Sequence, residues 1–161
     1  MVTIQAIPND VPGVQVGHYT DEEALTGATV ILFDDLAPTA VEVRGAAPGS
    51  LNTAMLEPGM AAQRVDAIVL TGGSSFGLRT ADGVMDALKD RGRGIPFGSM
   101  TVPLVAGAVI FDLMNGSPIS PDAAAGRTAL EAAEPLSQLA SEHVGVGTGA
   151  GVGTADGPGR R

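Results

Sequence analysis

Thr71-Gly72-Gly73-Ser74-Ser75 gathers three hydroxyls and two glycines in five residues, directly after the apolar run Ala67-Ile68-Val69-Leu70. Glycine lets a chain turn sharply, and a helix that starts here leaves its first N–H groups without partners. Hydroxyls, free N–H groups and a helix dipole at one point suit an anion or a carbonyl oxygen. The spacing is not GxGxxG, and no Lys follows the glycines as in a Walker loop. On spacing alone the stretch equally describes a tight packing turn. Thr148 and Thr154 each follow a glycine. Within a glycine-rich stretch both are read as packing threonines. His18-Tyr19 invites an acid–base role, but no evident nucleophile lies nearby, and a strand-end pair bonded to backbone is the preferred reading. Asp34-Asp35 is read as a solvated turn and not as a cation site.

The elements that position these groups follow from periodicity. Ala67 to Thr71 reads as a strand buried on both faces. From Ser75 the period becomes helical, with Leu78, Ala81, Val84, Met85 and Leu88 on one side and charged residues on the other. Ser74 or Ser75 is expected to cap that helix, and Gly92 and Gly94 to end it. Upstream, Val14 to Tyr19, Ala28 to Phe33 and Thr39 to Arg44 read as antiparallel strands. A short helix is expected between Leu51 and Gln63. Downstream, Val102 to Val105 and Ala108 to Phe111 read as buried strand segments, and Asp112 to Gly116 as a turn. Ser120-Pro121-Asp122 should start a second helix, with Ser120 as the cap. Val144 to Thr154 alternates glycine with small residues and is expected to be a strand packed closely on something.

Composition narrows the function classes. The chain has 161 residues, 23 of them glycine, and 17% are charged, against about 25% in an average domain. So thin a polar surface suggests that the chain must bury more of itself than a typical domain, as an oligomer or as one part of a larger fold, and a homo-oligomer is expected. The net charge of −9 disfavours nucleic acid and anionic membrane, which need a basic patch, and neither is expected as a partner. With no cysteine and two histidines, thiolate chemistry, disulfides and a three-His metal site are excluded, and no metal or cofactor is expected. No leader pattern opens the chain, and the longest mostly apolar stretch, Val102 to Phe111, falls short of the ~20 residues of a spanning helix. A cytoplasmic protein is expected.

Six stretches in order now resemble one family: Gly13 to His18, Val43 to Gly49, Leu70 to Leu78, Ala81 to Val84, Ala108 to Leu113 and Val144 to Ala150. Together they are similar to the P1 (S58) peptidases, which include DmpA-type L-aminopeptidase/D-esterases, β-peptidyl aminopeptidases and nylon-oligomer hydrolases. The resemblance implies an α/β fold, an αββα sandwich of the DmpA/ArgJ type, incomplete in this chain. Residues 1–154 would be the α-chain part, and 155–161 a polar tail. It also implies a precursor that cuts itself, so that a new N-terminal Ser or Thr attacks peptides, amides or esters with its own amine as base. That nucleophile, its asparagine strand and its acidic pair are expected beyond Arg161, in a missing β-chain segment. Many relatives carry Lys where Thr154 stands. The family also places a tyrosine near the reacting carbonyl, and Tyr19, the only tyrosine here, has no evident place in that role. The pocket candidates are Thr71, Gly72, Gly73, Ser74, Ser75, Thr148 and Thr154, for a small peptide, amide or ester substrate. These 161 residues alone are expected to be inactive. The alternatives are a phosphate- or anion-binding module built on Gly72 to Ser75, and a non-catalytic oligomeric relative.

Overall fold

The computed structural model describes residues 11–138 and 144–151. Its strands are β1 (Val14–Asp21), β2 (Thr26–Pro38), β3 (Ser50–Leu51), β4 (Arg64–Thr71), β5 (Ile95–Phe97), β6 (Met100–Val102), β7 (Val105–Val109) and β8 (Glu134–Pro135). Its helices are α1 (Thr80–Asp90) and α2 (Ala123–Glu131), with 3-10 turns at Thr53–Leu56, Ser74–Arg79, Leu136–Gln138 and Gly145–Gly149. Six strands form one sheet in the order β3-β7-β4-β2-β1-β8, while β5 and β6 make a separate hairpin. β4 and β7 are parallel, joined through α1, and the other neighbours are antiparallel. The fold is α/β, with a sheet layer and a helical layer.

One sheet face carries the core. Val30, Leu32, Ala67, Val69 and Val105 meet Ala81, Val84, Ala87 and Leu88 of α1 and Ala129 and Leu130 of α2, all buried. The aromatic-poor core is possible because the helices approach closely. A side chain at Gly83 would meet the backbone of Ala123, and one at Gly126 the backbone of Thr80. The second sheet face is only partly covered. The Thr53–Leu56 turn packs Leu56 and Met55 against Ala106 and Ile68, and Ile31, Phe33, Ile68 and Leu70 remain half-buried. β4 is therefore not enclosed equally on both faces, as its continuous apolar run suggested.

Other boundaries also differ from expectation. Residues 39–44 form no strand and residues 41–44 are exposed. β2 absorbs the chain to Pro38 through a register shift between Leu32 and Ala37. The first helix is preceded by a 3-10 turn, so α1 begins at Thr80, and no serine caps it. Its end is as expected: Gly92 takes φ +66°, and Arg93 N–H closes on Leu88 O at 2.9 Å. For α2 the cap is Asp122, not Ser120, its carboxylate accepting from Ala125 N–H at 3.0 Å. The glycine-alternating stretch forms a 3-10 turn at Gly145–Gly149 rather than a strand. Thr154 and the 155–161 tail lie outside the described residues.

Candidate functional site

β4 and β7 run parallel and end side by side at Thr71 and Val109. A crevice outside the carboxyl ends of parallel strands is where α/β sheets commonly bind ligands. Here the chain leaves β4 through the glycine corner. Ile110 N–H donates to Thr71 O and Ser74 N–H to Ile110 O, both at 2.9 Å, so the two segments stay paired beyond their strands. Gly72 N–H donates to Gly27 O at 2.9 Å. Gly73 N–H donates to Asp112 Oδ1 at 2.6 Å. The amides of Gly72, Gly73 and Ser74, expected to be free for an anion, are thus all taken by the chain itself. A carboxylate already occupies the place proposed for an external one. Thr71 is equally committed: its buried hydroxyl lies 3.1 Å from Thr80 Oγ1 and 3.2 Å from Gly72 O.

Ser74 and Ser75 are different. With Ala47, Pro48, Gly49, Val109 and Phe111 they line a cleft of about 320 Å³. No lining residue is charged. Ser75 and Phe111 are exposed, and Ser74 is half-buried with φ +54°, the left-handed region that a serine rarely adopts. Three separate stretches build this wall: the 47–49 loop, the glycine corner and the strand end at Val109. The first is held in place by Val109 N–H donating to Gly49 O at 3.0 Å.

Asp112 was read from the sequence only as part of a turn, yet it ties these segments together. It is 2% exposed. Besides Gly73 N–H it accepts from Thr26 Oγ1 at 2.7 Å. Its slot exists because two glycines flank it. A side chain at Gly72 would collide with Asp112 Oδ2 and Thr26 Oγ1, and a Cβ at Gly149 would stand 2.7 Å from the same carboxylate oxygen. The glycine corner and the Gly145–Gly149 turn thus face each other across one carboxylate. Asn115 Nδ2 secures the second partner by donating to Gly149 O at 2.7 Å.

A model of peptidase family S58 matches residues 6–157. The chain belongs to peptidase family S58. This S58 chain is 43% identical over 162 residues to an uncharacterized aminopeptidase of Mycobacterium tuberculosis strain H37Rv, covering 91% of the chain and 46% of the relative. It is 40% identical over 148 residues to a 6-aminohexanoate-oligomer endohydrolase of Kocuria sp. strain KY2, covering 91% of the chain and 39% of the relative. It therefore spans less than half the length of these relatives. The L-aminopeptidase D-Ala-esterase/amidase of Ochrobactrum anthropi, described as a variant of the Ntn-hydrolase fold, superposes with a TM-score of 0.67 at 18% identity, covering 92% of this chain and 46% of that one. A Burkholderia β-aminopeptidase gives 0.61 at 24% identity, over 89% and 43%. These likenesses establish the fold.

The remaining candidates of this S58 chain fall elsewhere. Tyr19 and His18 are not at a strand end. They are adjacent within β1 and so point to opposite faces. Tyr19 packs against the helix-side core. Burial raises its pKa above the ordinary 10.0, with Asp21 and Asp122 adding to the effect. Thr148 sits in the Gly145–Gly149 turn, its hydroxyl oxygen buried and without a hydrogen-bond partner among the described residues. A second, charged cleft of about 370 Å³ lies at the opposite end of β4, lined by Asp34, Asp35, Arg64, Asp66 and Arg93 among others. Three of these charges have partners within the chain: Asp66 accepts from Leu104 N–H at 2.9 Å and pairs with Arg93, and Asp34 accepts from Gln15. Among the described residues no group of three or more His, Cys, Asp or Glu could hold a metal ion, and no helix is long and apolar enough to cross a membrane.

His18 anchors the Gly145–Gly149 turn through Thr29. His18 Nδ1 lies 3.0 Å from Thr29 Oγ1, which also accepts from Val146 N–H at 3.2 Å. Burial lowers the His18 pKa below the usual 6.5, partly opposed by Glu134. The unfolded chain therefore takes up this proton first. The contribution is complete above 6.5 and is lost as pH falls toward the lowered folded value. Melting temperature is expected to decline on acidification through that window. His18→Gln is expected to flatten that part of the profile, and an unchanged profile would refute the assignment.

Proposed function

We propose that this chain is the N-terminal, pocket-forming part of a self-processing N-terminal-nucleophile amidohydrolase, acting on N-terminal residues of peptides, amides or esters. The cleft at the ends of β4 and β7 is its substrate wall, with Ser74 and Ser75 as the polar contacts. The observation that carries this reading is convergence: three stretches that resemble the family, far apart in sequence, line one uncharged cleft. An uncharged wall suits a neutral amide or ester and its apolar substituent, since burying an unpaired charge there is costly. The names of the relatives, aminopeptidase and oligomer endohydrolase, agree in cleaving amide bonds.

The hydrolytic nucleophile is not among these cleft groups. Thr71 is buried and committed, and the one histidine among the described residues, His18, is engaged with Thr29, over the Gly145–Gly149 turn, and not with Ser74 or Ser75. A serine hydroxyl without a base is a weak nucleophile. The 161 residues by themselves are therefore expected to show no turnover of aminoacyl p-nitroanilides. Steady release of p-nitroaniline by chain of intact mass would overturn this. In a longer polypeptide that supplies an N-terminal Ser or Thr by self-cleavage, turnover is expected, and Ser75→Tyr, which fills the cleft, is expected to raise KM.

A further inference from the structure

We propose that Asp112 is the positioning residue of this cleft: as a hydrogen-bond acceptor, and not through its charge, it holds the glycine corner and the Gly145–Gly149 turn in the arrangement that leaves Ser74 and Ser75 facing the cleft. The role of the cleft rests on the reading above. The role of Asp112 rests on geometry.

Gly73 immediately precedes Ser74, whose left-handed backbone at φ +54° is costly for a serine. Such a conformation persists only where its surroundings over-determine it. Here they do. Ser74 N–H is fixed by Ile110 O and Gly73 N–H by the Asp112 carboxylate, from two positions of one segment. The other carboxylate oxygen takes the Thr26 hydroxyl, which ties the corner to the start of β2. The Asp112 backbone contributes as well: its carbonyl accepts from Asn115 N–H at 2.8 Å, and Asn115 then holds Gly149. Asp112 thus fixes the corner and the start of β2 through its side chain, and the glycine-rich turn through its backbone carbonyl and Asn115.

The chemistry of the partners separates acceptor from charge. Both side-chain partners of Asp112 are neutral donors, and it forms no ion pair among the described residues. An asparagine can reproduce the set. Its Oδ1 accepts from Gly73 N–H, and its Nδ2 donates to Thr26 Oγ1, a hydroxyl that can accept as readily as donate. Alanine reproduces neither and leaves the Gly73 N–H buried without a partner.

Residue-resolved amide exchange on Asp112→Asn and Asp112→Ala in the 161-residue chain tests this. In D112A, exchange at Gly73 and Ser74 is expected to quicken about tenfold or more relative to Val109, the scale of a buried N–H left without its partner. In D112N it is expected to stay within about threefold of wild type, because the acceptor is kept. Unchanged Gly73 exchange in D112A overturns the proposal, and so does a loss in D112N as large as in D112A. Should D112A not fold, Asp112→Leu replaces it, keeping a branched side chain in the slot without an acceptor. Wild-type Gly73 exchange there overturns the proposal. Alanine p-nitroanilide, followed by shifts of the Ser75 and Phe111 amides, probes the cleft in parallel. Its Kd is expected to rise about tenfold in D112A and not in D112N. Equal binding by all three chains refutes the positioning role. Absence of binding by wild type refutes the pocket reading alone, and the exchange rates still decide the role of Asp112.

Discussion

Gly72→Val is expected to destabilise the fold by about 3 kcal/mol or more, lowering the melting temperature by about 6–12 °C for a chain of this size. The side chain has nowhere to go. Its first carbon already collides with Thr26 Oγ1 and Asp112 Oδ2, two groups bonded to each other at 2.7 Å. Relief requires the carboxylate to leave Thr26 or Gly73, so overpacking is compounded by a buried polar group without its partner. The effect should reach past stability. Displacing Asp112 frees the segment that sets Ser74, and the cleft should lose its shape even in the fraction that stays folded. Thermal melting together with the amide spectrum of residues 71–75 and 145–149 checks both parts. A melting point within about 2 °C of wild type would show that the slot yields easily.

Leu88→Ala is expected to cost about 2–5 kcal/mol, a large share of the 5–15 kcal/mol that holds a typical domain folded. With Leu130, Leu88 is one of the two largest fully buried side chains among the described residues, at 0% exposure, in a core otherwise assembled mostly from Ala and Val. The helix contact through Gly83 and Gly126 leaves little room for α1 and α2 to draw nearer and close the space. The denaturation midpoint should fall with the slope unchanged. Phe76→Ser, at a side chain 62% exposed, should change stability by no more than about 0.5 kcal/mol. A similar cost at both positions would contradict the assignment of the core.

Which parts of this could be read from residues follows the range of the forces involved. α1 was legible because the spacing of Ala81, Val84 and Leu88 is a local property, and all three are buried. The end of that helix was legible for the same reason, since Gly92 acts within one turn. The family was legible because six stretches recur in order. The start of α1 was not: the 3-10 turn at Ser74–Arg79 is imposed by pairing with residues 110–112. Nor was the state of the corner amides. Their acceptors, Gly27, Asp112 and Ile110, are remote in sequence, and nothing around Asp112 marks it as the partner of Gly73 and Thr26. The alternation of glycine from 144 onward was a true signal of close approach, since Gly149 abuts Asp112, but it was assigned to the wrong backbone geometry. Of the pocket candidates, Ser74 and Ser75 reach the cleft, Thr71, Gly72 and Gly73 form its support, and Thr148 lies in the turn across Asp112.

The pairing of β4 with β7 sets a timetable for the emerging polypeptide. β1 and β2 meet across a short reversal at residues 22–25 and can zip together early, with β4 adding antiparallel to them. β7 joins β4 in the parallel sense, so it must wait until the whole of α1 and the β5–β6 hairpin have been synthesised and folded back over the sheet. Until then the β7 edge of β4 stands open, and Asp112 has no partner. On the ribosome, the cleft cannot close before the chain has emerged as far as Phe111.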